Sequence, residues 1–271
     1  MGNERVALAP TPWQAPKWLT EACALSDGAP VDGVLMGALH SELQQRAVEA
    51  GAGADWPAMA LSGLQMKKAG LPDWWVSNGN LLLAAPDAKV DVQPPLFGHP
   101  VPTGALLLLG AGVTLNRSHI AGGGSLVAFG DRCYVPGVVA GVIGRSTIMI
   151  GEDTSATFGA VLDARNGGSI IVGPEGMWAD GLFIMTDDGH AIRDLETGAR
   201  INVFGGRIIV ERHVWFGMNV RLLGDCRIGA DAVVGINALV KNAALPKNSV
   251  CVGQPAVPVR TGTTWSRWDE P

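Results

Sequence analysis

The stretch that decides the fold is VERHVWFGMNVRLLGDCRIGADAVVGINALV, running from Val210 to Val240. Val210, Phe216, Leu222, Ile228, Val234 and Val240 stand six residues apart, and every one is apolar. Four positions after each come Val214, Val220, Cys226, Ala232, Ala238 and Ala244, apolar and small to medium in size. A helix repeats its apolar face near 3.6 residues and a lone strand near 2, so neither produces a beat of six. A triangular parallel β-coil does. Each six-residue side turns one aliphatic residue inward, and three sides close a coil of about eighteen residues on which the next coil stacks. Gly217, Gly229 and Gly235 follow the inward residue, where the chain leaves one flat side for the next and a side chain would crowd.

Working outward, the beat continues toward the N-terminus in looser form. Phe129-Gly130, Ile150-Gly151 and Val172-Gly173 recur 21 and 22 residues apart, one coil plus small corner insertions. Sixes reappear as Ile150, Ala156, Leu162 and as Val172, Trp178, Ile184. At position 190 the pattern fails. Val172 and Val210 are 38 residues apart, one coil plus about twenty extra, and the interval holds Thr186, Asp187, Asp188, Gly189, His190, Arg193, Asp194, Glu196, Thr197, Arg200 and Asn202. A polar loop therefore leaves a consistent apolar scaffold at one place, which is where function is expected.

Three segments are expected: a mixed α/β module over 1–103, a β-helix over 104–245 with its excursion at about 185–207, and a tail over 246–271. Within the module, residues 1–27 carry Pro10, Pro12, Pro16, Trp13 and Trp18 and read as irregular. Residues 37–50 have amphipathic helical spacing. Trp56-Pro57 reads as the start of a helix through Leu61, Leu64 and Met66. Trp74-Trp75-Val76 and Leu81–Ala84 read as the arms of a hairpin. The proline-rich stretch 86–102 suits a connector.

Composition narrows the possibilities. The chain has 271 residues, a formal charge of −5 and no dense Lys/Arg run, which argues against a nucleic-acid partner. Glycine, at 37 residues, exceeds the ordinary share of about 7% without collagen spacing, and abundant corners explain it. Cys23, Cys133, Cys226 and Cys251 are widely separated, and Cys226 holds an inward place, so it reads as a buried hydrophobe. The apolar run Ala105–Leu109 is too short to span a bilayer. No basic, apolar leader opens the chain. A cytoplasmic protein without a membrane span is expected.

The run His213-Val214-Trp215-Phe216-Gly217, then Ile228-Gly229-Ala230-Asp231-Ala232-Val233-Val234-Gly235, then Gly253-Gln254-Pro255-Ala256 and Arg260, resembles the hexapeptide-repeat acyltransferases. The loop Thr186–Asn202, with Asp188, His190, Ile192, Asp194, Thr197-Gly198 and Arg200-Ile201-Asn202, resembles in particular the members that O-acetylate capsular and other surface polysaccharides. The resemblance covers roughly residues 126–265. It implies a left-handed parallel β-helix, a homotrimer with sites between subunits, acetyl-CoA as donor and a carbohydrate hydroxyl as acceptor. It also implies His190 as general base, Trp215 near the site, and Arg260 as a tail arginine for CoA. The family's Thr-Lys-Asp after the last hexads is replaced around Lys241 by Asn242-Ala243-Ala244, and its Gly-Asn-Pro-Ala by Gly253-Gln254-Pro255-Ala256.

The residue types suit that chemistry. A histidine titrates in the range useful for removing a hydroxyl proton. Asp188 could orient its imidazole, as a triad carboxylate does, although Asp187-Asp188-Gly189 is also ordinary turn chemistry. Trp215 could wall the acyl or acceptor group or simply pack against a neighbour. Arg200 and Asn202 could bond sugar hydroxyls or tie the loop down. Arg260, Lys241 and Lys247 are the cations for the CoA phosphates, with Gly253, Pro255 and Ala256 in the adjoining turn. No metal is expected: a zinc hydratase on the same fold needs three convergent histidines, and no two of His40, His99, His119, His190 and His213 stand closer than 20 residues. Two other readings stay open, N-acetylation of a nucleotide-linked amino sugar and a non-catalytic trimeric scaffold.

Overall fold

A computed structural model describes residues 15–93, 101–121 and 123–269; of residues 116–119 and 121 it describes the backbone only. Most of the chain winds into a parallel β-helix with three walls. The first wall runs from Leu81–Ala84 through Leu106–Leu109, Leu126–Phe129, Thr147–Ile150, Ser169–Val172, Arg207–Val210 and Cys226–Ile228 to Ala244–Leu245, each strand parallel to the next. The second stacks Ser155–Ala156, Met177–Trp178, Trp215–Phe216, Val233–Val234 and Ser249–Val252. The third stacks Ala160–Arg165, Leu182–Met185, Arg221–Leu223 and Leu239–Lys241. Higher up, the long strand Tyr134–Ile143 serves both of the latter walls.

The hexad register is the core. Ile150, Val172, Val210, Ile228 and Leu245 form one inward column. Trp178, Phe216, Val234 and Cys251 form a second, and Ile184, Leu222 and Val240 a third. All are buried. A fully buried aliphatic or aromatic side chain contributes about 1.5–3 kcal/mol relative to exposure, so a closed coil gains with every side added. The corner glycines are required by contact: a Cβ on Gly151 would lie 2.5 Å from the Pro174 nitrogen, and one on Gly217 2.7 Å from the Ile236 nitrogen.

One hexad slips. Ile228 pairs with Leu245 rather than with position 246, and Leu245 is buried while Ala244 is exposed. The bottom coil is thus one residue short. Asn242 turns its corner at φ 49°, its side-chain oxygen accepting from the Asp225 N–H at 3.0 Å, and the larger leucine takes the interior.

The first wall is apolar on both faces because helix Gly33–Ala50 lies on its outside. Asp32 caps that helix, accepting from the Leu35 N–H, and Gly51 ends it at φ 87°. Leu39, Leu43, Ala47 and Ala50 pack with Leu106, Leu108, Leu126, Ala128, Met149, Ile171 and Ile209 from the wall. Arg46, 6% exposed and paired with Glu42 of its own helix, pins the two together through Thr147 Oγ1 at 3.2 Å and the Gly124 carbonyl at 2.9 Å.

Three local expectations are corrected. The lead-in holds a helix, Lys17–Cys23, while Trp13 and its neighbours lie outside the described residues. Residues 57–64 form no helix, because their polar groups are spent on the prism: the Ala60 N–H bonds Glu152, and Ser62 bonds Asp131 through both N–H and hydroxyl. Trp74-Trp75-Val76 is a short helix, Asp73–Ser77, and not a hairpin arm. Trp75 drops into the prism core, and Leu81–Ala84 joins the first wall, whose apolar strands offer it two buried faces. Part of the proline-rich connector, residues 94–100, lies outside the described residues.

Candidate active site

The excursion leaves the third wall after Leu182–Met185 and rejoins the first at Arg207. Its neck is closed by Asp187, only 3% exposed. Asp187 Oδ2 accepts from Asn166 Nδ2 at 2.8 Å and from the Gly205 N–H at 3.1 Å, and Oδ1 accepts from the Gly189 N–H at 2.7 Å. One carboxylate therefore ties both ends of the loop to the preceding coil. Spacing alone had marked Asp187 only as turn chemistry; Asn166 carried no signal, since its partner lies a whole coil away.

Within the loop Asn202 is the hub. Its Nδ2 donates to the His190 carbonyl at 2.8 Å and to Asp188 Oδ2 at 2.9 Å, and its Oδ1 accepts from the Ile192 N–H at 2.9 Å. Arg200 adds bonds to the carbonyls of Asn202, His190 and Val203 at 3.2, 3.4 and 3.0 Å and lies 4.8 Å over the Phe204 ring. At the tip, Asp194 Oδ1 accepts from the Thr197 N–H and hydroxyl, both at 2.8 Å, and the Thr197 N–H holds its carboxyl below the usual carboxylate range.

This bracing stops at the backbone of His190. The residue is exposed, and among the described residues no group hydrogen-bonds its imidazole. The Asp188 carboxylate is turned to Asn202, with Lys241 Nζ 3.8 Å away. Arg165, which the sequence reading passed over, stands beside Gly189: a Cβ there would meet its Nη1 at 2.9 Å. Its partner Asp163 favours the charged guanidinium, raising its pKa further.

The structure thus gathers His190, Asp188, Arg200, Asn202 and Lys241 at one edge of the prism and leaves Trp215 elsewhere. Trp215, 37% exposed, projects from the second wall, where its ring centroid is 6.1 Å from that of Trp265. Arg260 lies on the strand Val257–Thr261, opposite Val250 of the same wall. Lys247 is exposed at the corner before that wall. Gly253, Pro255 and Ala256 form the turn beneath the third wall: the Gly253 carbonyl accepts from the Leu239 N–H at 3.0 Å, and the Ala256 N–H donates to the Leu239 carbonyl at 2.8 Å. That turn is two residues from Lys241 in its pairing. Among the described residues there is no cluster of three or more His, Cys, Asp or Glu that could hold a metal.

These features define a parallel β-helix of the hexapeptide-repeat kind with one braced, histidine-bearing loop. The crystal structure of the polysialic acid O-acetyltransferase OatWY shares this fold, with a TM-score of 0.59 at 23% identity, covering 68% of this chain and 92% of that one. In sequence the chain is similar to the polysialic acid O-acetyltransferase of Neisseria meningitidis, 36% identical over 87 residues, or 32% of this chain and 40% of that protein. It is also similar to the polysialic acid O-acetyltransferase of Escherichia coli O1:K1 / APEC, 30% identical over 128 residues, 46% of this chain and 40% of that protein. The chain thus spans about two fifths of the length of the curated relatives it matches. No family model matches it.

Proposed function

We propose that this protein is an acetyl-CoA-dependent O-acetyltransferase that moves an acetyl group directly to a hydroxyl of a carbohydrate, with His190 as general base. The observation that carries the reading is the asymmetry at His190: a backbone held by Asn202 and Arg200, and an imidazole left without a partner. A base must be held in place and still be available to the proton it abstracts. His190 takes the hydroxyl proton as the oxygen attacks the thioester carbonyl. A C–O bond forms, the C–S bond breaks, and the proton passes to the departing thiolate. The names of the similar proteins favour a sialic acid polymer as the acceptor. Asp188, Asn202 and Arg200 hold the loop and face the acceptor.

Arg260, Lys247 and Lys241, with the turn through Gly253, Pro255 and Ala256, are assigned to the phosphate-bearing donor. Arg260 and Lys247 are exposed and, among the described residues, make no ion pair, as cations awaiting phosphates should be. The assembly in this proposal is a homotrimer. Trp215 stands on the second wall and His190 in the excursion between the third and the first, and in this proposal a site using both is built from two copies. The first wall is already covered by helix Gly33–Ala50, which leaves the second and third for contact. Among the described residues no helix is long and apolar enough to cross a membrane, and acetyl-CoA as donor suits a cytoplasmic protein.

Isothermal titration of acetyl-CoA into wild type, Arg260→Ala and His190→Ala tests this reading. We expect binding that the arginine change weakens about tenfold and the histidine change leaves intact. No heat with wild type, together with an unchanged melting temperature, would remove the enzyme reading and leave the β-helix.

A further inference from the structure

Trp215 owes its surroundings to a segment far along the chain. Residues 262–269 climb back across the corner that precedes the second wall. The Thr263 N–H donates to the Asn248 carbonyl at 3.0 Å. Trp265 Nε1 donates to the His213 carbonyl at 2.9 Å. Arg267 reaches Ser155 Oγ at 2.5 Å and the carbonyls of Asp153, Gly176 and Glu175 at 3.3, 3.4 and 3.5 Å. The segment is therefore bolted at both ends to coils above and below Trp215.

His213 is the joint. It holds φ at 55°, uncommon for a residue with a Cβ. Its Nδ1 and Asp231 Oδ1 are 2.8 Å apart, and its ring lies flat on Trp265 with centroids 4.1 Å apart and 9° between planes. Trp215 follows two residues later. Trp265 is 9% exposed and Trp215 37%, so the first ring is a buried support and the second is the presented surface.

We propose that Trp265 is a positioning residue: through His213 and its own tilted ring, 6.1 Å from that of Trp215, it sets the Trp215 ring, and thereby the affinity for the acceptor. This rests on the acetyl-transfer reading above and extends it to the regulation of acceptor binding by segment 262–269. Trp265 does not touch substrate. Its effect falls on the acceptor KM and not on the chemical step carried by His190.

The test is steady-state kinetics of wild type, Trp265→Phe, Trp265→Ala and Arg267→Ala, with acetyl-CoA as donor and polysialic acid as acceptor. Circular dichroism is recorded in parallel, because two tryptophan rings this close couple their transitions and give a far-ultraviolet couplet. We expect Trp265→Ala to raise the acceptor KM about tenfold with kcat nearly unchanged, and Trp265→Phe, which keeps a ring on His213, to recover most of it. Arg267→Ala frees the far end without removing either ring, and should raise KM about two- to threefold even if Trp265→Ala folds poorly. Loss of the couplet with unchanged KM would overturn the inference, as would equal losses of kcat in the Phe and Ala variants. If wild type shows the couplet yet transfers no acetyl group, the functional reading fails while the contact stands. If wild type transfers and Trp265→Ala does so equally well, the inference alone fails.

Discussion

Two histidines sit at two corners of the same prism, and their environments are opposites. His213 belongs to the regular coil; its imidazole is bonded to Asp231 and stacked on Trp265, with 23% of its side chain exposed. His190 belongs to the excursion; there the backbone is bonded and, among the described residues, the imidazole is not. A ring bonded through Nδ1 and stacked inside the molecule, like that of His213, ties the corner together. A histidine whose main chain is braced while its ring stays open fits the role of base that we propose for His190. The better-bonded histidine is thus the poorer catalytic candidate, although a carboxylate at 2.8 Å invites comparison with a triad.

The comparison can be broken first in the regular wall. Phe216→Ala empties the column between Trp178 and Val234 and should cost about 3–5 kcal/mol in denaturant unfolding. A cost below about 1 kcal/mol would mean that the second wall is not the packed element described. Next comes the corner itself. Among the described residues, His213→Ala leaves the Asp231 side chain with Arg212 at 3.7 Å and Thr264 at 3.4 Å, and should lower stability by about 1–3 kcal/mol. The same measurement on His190→Ala should show a change within about 0.5 kcal/mol, since among the described residues no side-chain bond is lost.

Asn202→Ala sharpens the other side. It removes the clamp on the His190 carbonyl without touching the imidazole, and should lower kcat/KM about tenfold, or roughly 1.4 kcal/mol, with little effect on global unfolding. Full activity would show that the loop holds His190 without its hub. The smallest effect is expected at the loop tip. The Asp194 carboxyl titrates below its ordinary value, held there first by the Thr197 N–H. A depressed folded-state pKa contributes stability above the unfolded value, near about 3.9, and loses it as pH falls through the folded value. Protection factors over residues 190–202, corrected for intrinsic exchange, should therefore be higher at about pH 5 and fall selectively toward about pH 2, before the coils open.

Much of this was legible in the sequence, for a physical reason. A triangular coil turns one residue of every six inward, so Val210, Phe216, Leu222, Ile228, Val234 and Val240 declare themselves without knowledge of any partner. The excursion was legible by contrast, as polar residues where an inward aliphatic was due. What escaped depends on contacts between distant positions. The run Leu106–Leu109 reads as apolar, yet nothing local says that helix Gly33–Ala50 covers its outer face. The slip at Leu245 depends on how Asn242 turns its corner. Trp265 meets His213 across 52 residues, so its stacking had no local signature. His190 itself stood out through its place in the loop and through a family resemblance. That Asp188 turns to Asn202 and away from the imidazole could come only from the folded loop.

The most direct test of the account compares acetyl transfer from acetyl-CoA to polysialic acid by wild type, His190→Ala and His213→Ala at matched folded concentration. We expect His190→Ala to lose about two to four orders of magnitude in kcat at an unchanged melting temperature, and His213→Ala to keep most of its kcat, with a raised acceptor KM, at a lowered one. The reverse pattern, with His213 essential and His190 dispensable, would contradict the assignment and move the chemistry to the Asp231 corner.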